Sequence, residues 1–186
     1  RPDVLIIYSN GNDGDDGSNT VWAPGTFKNG MSVGAASNDN KVWKGLTMGQ
    51  AVGDFKYSAM MTFSSKGPTA DGRMKPDVAA PGSFIMSADG NFNVSKMHCD
   101  IIEMQGTSMA APTAAGATAL VREYFIRGFY PTGVANEADK LIPSGALLKA
   151  MMIASATEMS NVIESAGDGT VSVDDPLQYP DNTQGY

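Results

Sequence analysis

The stretch Gly106-Thr107-Ser108-Met109-Ala110-Ala111-Pro112 stands at the head of an Ala-rich segment that continues to about Arg127. Alanine loses no side-chain entropy on ordering, so Ser108 to Arg127 is expected to be a helix. Ala111, Ala114, Ala115, Ala119, Leu120 and Phe125 are its candidates for packing. Pro112 is expected in the first turn, where a missing N–H costs little. Gly128 is expected at the C-terminal cap. Ser108 has two readings on these residues. Its hydroxyl can cap the first turn. Alternatively, it is a nucleophile at a helix N-terminus, with its own backbone N–H aimed at a reacting carbonyl oxygen. Gly106 would then let a substrate backbone approach closely, and Ala110 and Ala111 would keep the first turn small. Locally, the cap reading comes first.

Strands and loops surround this helix. Val4 to Tyr8 is a continuous apolar run and reads as a fully buried parallel strand. Ser9 to Asn19 is rich in Gly, Asn and Asp and reads as a loop. Met31 to Ala36 reads as a second buried strand, Asp77 to Ala80 as a strand stub ended by Pro81-Gly82, and Phe84 to Ser87 as another strand. Lys41 to Tyr57 reads as loop with short strand. Lys66-Gly67-Pro68 and Ala70 to Arg73 are turns. Ser144 to about Met159 is a second helix, capped by Ser144, with Leu147, Leu148, Met151, Met152 and Ala154 at helical spacing. The tail from Asn161 is polar and turn-rich. Strands alternating with helices point to an α/β layer fold with a largely parallel sheet.

Composition bounds the function. The chain has 186 residues, 42% hydrophobic and 18% charged, enough for one domain with a real core. Its net charge of −7 argues against nucleic acid as a partner. No apolar run reaches the roughly 18 residues of a membrane span. The single cysteine, Cys99, excludes an internal disulfide. Arg1-Pro2-Asp3 leads straight into the apolar run, which is not a signal-peptide pattern. Both ends read as excerpt boundaries.

Four segments together decide between the two readings of Ser108. Gly106 to Pro112 resembles the catalytic-serine signature of the subtilase family. Phe63-Ser64-Ser65-Lys66-Gly67-Pro68 and Lys75-Pro76-Asp77-Val78-Ala79-Ala80-Pro81-Gly82 resemble two further segments of that family. Ser9-Asn10-Gly11-Asn12 resembles the strand end that carries its oxyanion-hole asparagine. They occur in family order, from about Val4 to Met159. Asn182 to Tyr186 resembles a tail segment of the larger alkaline subtilases. Ser9-Asn10 departs from the usual two alanines and adds polar groups near the floor of the substrate pocket.

The resemblance implies a three-layer, subtilisin-like α/β fold with a mostly parallel sheet. Residues 1–186 would be the C-terminal portion of one catalytic domain. It implies a serine endopeptidase working through a Ser-His-Asp triad on a peptide or protein substrate, outside the cell or in the secretory pathway. Ser108 would attack the scissile carbonyl. Asn12 would donate to the oxyanion beside the Ser108 N–H, although its local sequence alone reads as a turn. Gly11, Trp22, Gly106 and Thr107 would contact substrate. Ala23-Pro24-Gly25 resembles a family turn whose proline is often cis, and Trp22 before it would stand in or beside the specificity pocket, or else pack in its loop. No cofactor is implied, and a structural calcium in the intact protein is left open. Asp13, Asp15 and Asp16 offer oxygen ligands, but without ligand spacing they read better as a solvated acidic loop. Met109, beside Ser108, would be an oxidation liability.

Two triad members are not in these motifs. Family order places the aspartate and histidine before the oxyanion asparagine, hence before Arg1, in an N-terminal part of the same domain. The only histidine, His98, follows Asn12 and reads as a surface residue. Asp77 reads as structural, and Cys99 as an idle thiol. An α/β-hydrolase would need glycine where Ala110 stands. Sedolisin-type peptidases use an aspartate where this chain has Asn12. The non-enzyme alternative is an inactive fragment or an interaction module.

Overall fold

Met31–Ala36 (β2) is the strand around which the chain is organised, and all six of its residues are buried. Ile7–Ser9 (β1) pairs with it in parallel, Ile7 opposite Met31. Val78–Pro81 (β4) also pairs with it in parallel, Val33 opposite Val78. Ala59–Met61 (β3) joins antiparallel at Ala36. The computed structural model describes residues 1–38, 59–90, 100–159, 161–165, 171–174 and 180–186. The expected loop and short strand at Lys41 to Tyr57, and His98 and Cys99, lie outside the described residues. Ile85–Ala88 (β5) and Ile101–Met104 (β6) form a separate antiparallel hairpin leading into the serine helix.

Alternation along β2 divides its environment. Met31, Val33 and Ala35 point to one face, where they meet Val78 and Ala80 of β4, Ala110 and Ala114 of the first helix, and Met152 and Ile153 of the second. Fully burying one of the larger of these side chains, such as Met31, Val33 or Val78, contributes about 1.5–3 kcal/mol. Thr107–Ile126 (α1) packs across β1, β2 and β4, and Gly145–Ala154 (α2) packs against α1. Both helices therefore share one face of the sheet. The opposite face is covered by Met60, Ser64 and Pro76, which crowd Gly34, and by Val162 and Met159 beside Ala36. The described residues thus supply the sheet and one helical layer of an α/β fold.

Several expectations are corrected. The first strand is not fully buried: Val4, Ile6 and Tyr8 are 47%, 58% and 43% exposed, because they alternate onto the face turned away from the core, while Leu5 and Ile7 pack against it. The polar tail holds two strands, Asn161–Ser165 (β7) and Val171–Asp174 (β8), an antiparallel pair joined to β3. The sheet is mostly parallel as expected, with three of its five pairings parallel and two antiparallel. In α1 the inward face is Ala110, Ala114, Thr118 and Phe125, whereas Leu120 is 69% exposed and Ala119 is also exposed. Pro112 is in the second turn, since α1 begins at Thr107. It removes the backbone donor that would meet the Ser108 carbonyl. Gly128 does close α1, at φ 71°, with its N–H on the Phe125 carbonyl. Ser144 caps α2 by accepting from the Leu147 N–H at 3.1 Å, but α2 ends at Ala154 rather than near Met159.

Asp77 is structural, as its sequence setting suggests. Its carboxylate is almost completely buried and meets Lys75 Nζ at 2.7 Å and Lys149 Nζ at 2.9 Å. It also accepts the Ser32 backbone N–H at 2.8 Å. One carboxylate thereby ties β2, the start of β4 and α2 together. Burial pushes the Lys75 ammonium below the ordinary lysine range, against the pull of Asp77.

Candidate active site

The parallel strands β1, β2 and β4 all end on the same side of the sheet, where α/β folds characteristically hold ligands. The segment after β1 carries Gly11 and Asn12, and the segment after β4 is Gly82. The head of α1 arrives between them, because the Gly106 N–H donates to the Gly82 carbonyl at 2.8 Å. A Cβ on Gly82 would lie 2.8 Å from the Gly106 carbonyl oxygen and 2.9 Å from the Cβ atoms of Ala110 and Ala35. Only glycine leaves room for that approach. Gly106 itself has φ 148° and ψ 162°, a conformation that side-chain-bearing residues rarely adopt.

The structure decides between the two local readings of Ser108. The N-cap of α1 is Gly106, which has no side chain, and Ser108 lies inside the helix, so Ser108 is not its cap. It is the second helical residue and is exposed. The first N–H groups of the helix have separate fates. Thr107 N–H donates to Asn12 Oδ1 at 2.9 Å. Met109 and Ala110 N–H both turn back to the Gly106 carbonyl, at 3.0 and 3.3 Å. The Ser108 N–H has no acceptor among the described residues, at the positive end of a 20-residue helix.

Asn12 is exposed and reaches across to this helix end. Its Oδ1 accepts both the Thr107 N–H and the Thr107 hydroxyl, at 2.9 and 2.8 Å. A backbone N–H can only donate, so the atom it meets must be the amide oxygen, which fixes the sense of the Asn12 amide. Its Nδ2 then faces the Gly106 side, 3.3 Å from where a Cβ on that glycine would lie. The Gly11 N–H donates to Thr107 Oγ1 at 3.2 Å, completing the link. Gly11, Asn12, Gly106, Thr107 and Ser108 are therefore brought together from segments about ninety-five residues apart in sequence.

The chain belongs to the subtilase family. The family model (Peptidase_S8) matches residues 1–186. A Bacillus subtilis relative, the serine protease AprX, is 32% identical over 149 residues, covering 76% of this chain and 30% of its own length. The serine protease/ABC transporter B family protein tagB of Dictyostelium discoideum is 47% identical over 111 residues, covering 55% of this chain and 6% of its own. Among solved structures, the S41 psychrophilic protease aligns over 98% of this chain and 46% of its own with a TM-score of 0.56 at 22% identity. Sphericase aligns over 82% and 40%, with a TM-score of 0.55 at 21% identity. These two likenesses concern the fold, which is subtilisin-like. The chain spans less than half the length of each of these relatives.

The remaining candidates of this subtilase chain are placed as follows. Thr107 is 1% exposed and its hydroxyl is engaged by Asn12 and Gly11, so its side chain faces the protein rather than a substrate. Trp22 is 68% exposed, so it is not packed among the described residues. The Ala23–Pro24 bond is cis. Asn10 is 1% exposed, so the polar group added beside the pocket floor is satisfied inside the protein. Asp13, Asp15 and Asp16 are exposed, and no three His, Cys, Asp or Glu side chains converge on a metal-sized site among the described residues. The clamp at Arg73 was not among the expectations from sequence. Its guanidinium binds both Asp71 oxygens at 3.0 Å and the Thr26 carbonyl at 2.7 Å, anchoring the loop after Trp22. Hydrogen bonds from Arg73 and Thr69 hold the Asp71 carboxyl well below the usual carboxylate range. The dipeptide spacing of Asp71 and Arg73 was the available signal.

Proposed function

We propose that this chain carries the nucleophile and oxyanion site of a serine endopeptidase. Ser108 Oγ attacks the carbonyl carbon of the scissile peptide bond and passes its proton to a base. Electron density moves to the carbonyl oxygen, which Asn12 Nδ2–H and the Ser108 backbone N–H receive. Collapse of the tetrahedral adduct expels the amine, which takes the proton, and leaves an acyl-serine for water to hydrolyse. The histidine base and its aspartate come from residues outside those described, in an N-terminal part of the same domain. Substrate is a peptide or protein, met outside the cell or in the secretory pathway. No helix among the described residues is long and apolar enough to cross a membrane.

One observation carries this reading. The Asn12 amide is held by its oxygen against Thr107, the residue before an exposed Ser108, so that its Nδ2 and the Ser108 N–H are both left without an acceptor among the described residues. A helix cap would have used the serine hydroxyl, and an inactive interaction module has no need of two uncommitted donors beside it. The test is hydrolysis of a chromogenic peptide by the full-length protein. Asn12→Ala should lower kcat on the order of 10²–10³-fold with little change in KM. Unchanged kcat in that variant would refute the oxyanion role.

A further inference from the structure

Asn10 is a buried residue that no step of the chemistry uses, and its backbone N–H and both ends of its side-chain amide are hydrogen-bonded. Its backbone N–H donates to the Val33 carbonyl at 3.0 Å. Its Oδ1 accepts the Ser32 hydroxyl at 2.6 Å. Its Nδ2 donates to the Ser65 backbone carbonyl. The Ser65 end of this link matters for the site. The Ser65 N–H donates to the Gly11 carbonyl at 3.0 Å, and Ser65 Oγ accepts the Asp13 N–H at 3.0 Å. Ser65 thus grips the backbone on both sides of Asn12. Packing is as close as the bonding, since a Cβ on Gly11 would lie 2.6 Å from Ser65 Oγ. Further along, the Gly14 N–H donates to the Phe63 carbonyl at 2.8 Å, so residues 11–14 lie zipped onto residues 63–65.

We infer that Asn10 is a positioning residue: by anchoring Ser65 to the end of β1 and to Ser32 of β2, it fixes the backbone that aims the Asn12 amide at Ser108. This deepens the oxyanion reading above and rests on it. Asn12 itself is exposed, and among the described residues its side chain is hydrogen-bonded only to Thr107. The direction of its N–H groups therefore depends on where its own Cα is held, and that is set by Ser65. Ser65 sits on a loop segment between β3 and β4 and would be held less firmly without the amide that ties it to β2. A displacement of the order of 1 Å at a catalytic donor costs on the order of a hundredfold in rate.

The test uses the full-length protein, with kcat expressed per active serine titrated by a fluorophosphonate, so that partial unfolding does not enter the rate. Asn10→Ala and Ser65→Ala should each lower kcat about tenfold or more, with KM within about twofold. In an Asn12→Ala background the same changes should lower kcat by less than about twofold, because no aimed amide is left to misplace. If Asn10→Ala does not fold, Ser65→Ala, which keeps the carbonyl that Asn10 binds, decides the matter. An impaired Asn12→Ala beside unimpaired Asn10→Ala and Ser65→Ala would overturn this inference alone. Losses that multiply with that of Asn12→Ala would also overturn it, since they would mark a general structural role. An unimpaired Asn12→Ala would overturn the oxyanion reading and this inference with it.

Discussion

Replacing Asp77 by asparagine should destabilise the protein more than any other single change of equal size near the sheet. The substitution keeps the volume and one acceptor for the Ser32 N–H but removes the charge. Lys75, 2% exposed and 2.7 Å from Asp77 Oδ2, is then a buried cation without its counter-charge. Lys149 is 21% exposed and can be hydrated instead. Breaking a buried pair from one side costs about 3–5 kcal/mol. A second route sets a ceiling: Lys75 can fold as the neutral amine. Each pH unit below the ordinary lysine pKa costs about 1.4 kcal/mol, so the cost at pH 7 is at most about 4–5 kcal/mol. The two figures agree, and the second carries a sign. With Lys75 neutral when folded and protonated when unfolded, the unfolded state binds the extra proton. Stability of the variant must then rise with pH, by about 1.4 kcal/mol per unit, until the ordinary lysine pKa is reached. Urea denaturation of full-length protein bearing Ser108→Ala, to prevent self-digestion, measures both. Adding Lys75→Met to Asp77→Asn should recover part of the loss, since no uncompensated lysine is then buried. An Asp77→Asn variant within about 1 kcal/mol of its parent, or with no added pH slope, would show that Lys75 does not depend on Asp77 for its burial.

Two further outcomes follow from the geometry. Gly82→Ala pushes against the Gly106 carbonyl, Ala110 and Ala35 at once, none of them a flexible side-chain end. It should cost about 1–3 kcal/mol in denaturation and lower kcat, because the contact that moves bears Ser108. The Asp71–Arg73 clamp should weaken on acidification. The folded pKa of Asp71 is depressed, so its contribution is complete above the ordinary carboxylate pKa and declines as pH falls below it. Asp71→Asn should therefore remove part of the acid sensitivity of peptide binding, read as a flatter KM profile below about pH 4.

The sequence made the centre of this fold legible and its margins less so. Met31 to Ala36 reads as a buried strand because every residue is small or apolar, and its pairing with β1 and β4 follows from the α/β pattern. Ser144 gave the start of α2 because a capping hydroxyl leaves a local signature. Ser108, Asn12, Gly11 and Gly106 were legible only as a set of motifs, since a serine before a helix reads locally as a cap. The phase of α1 was misread for a physical reason. Thr118 satisfies its hydroxyl on the Ala114 carbonyl at 2.7 Å and can be buried, so the inward face passes through a polar residue while Leu120 faces out. The β7–β8 hairpin lies in a polar stretch whose strands depend on β3 as a template. Asn10 was visible only as an odd polar residue, because its partners Ser32 and Ser65 are distant in sequence.

The proposed chemistry requires Ser108 to be an activated nucleophile. Full-length protein treated with a fluorophosphonate, digested and analysed by mass spectrometry, should carry the phosphonyl adduct on Ser108. Labelling and peptide hydrolysis should disappear together in Ser108→Ala. Peptide hydrolysis that survives in folded Ser108→Ala protein, or a folded parent that takes up no label at Ser108, would contradict it.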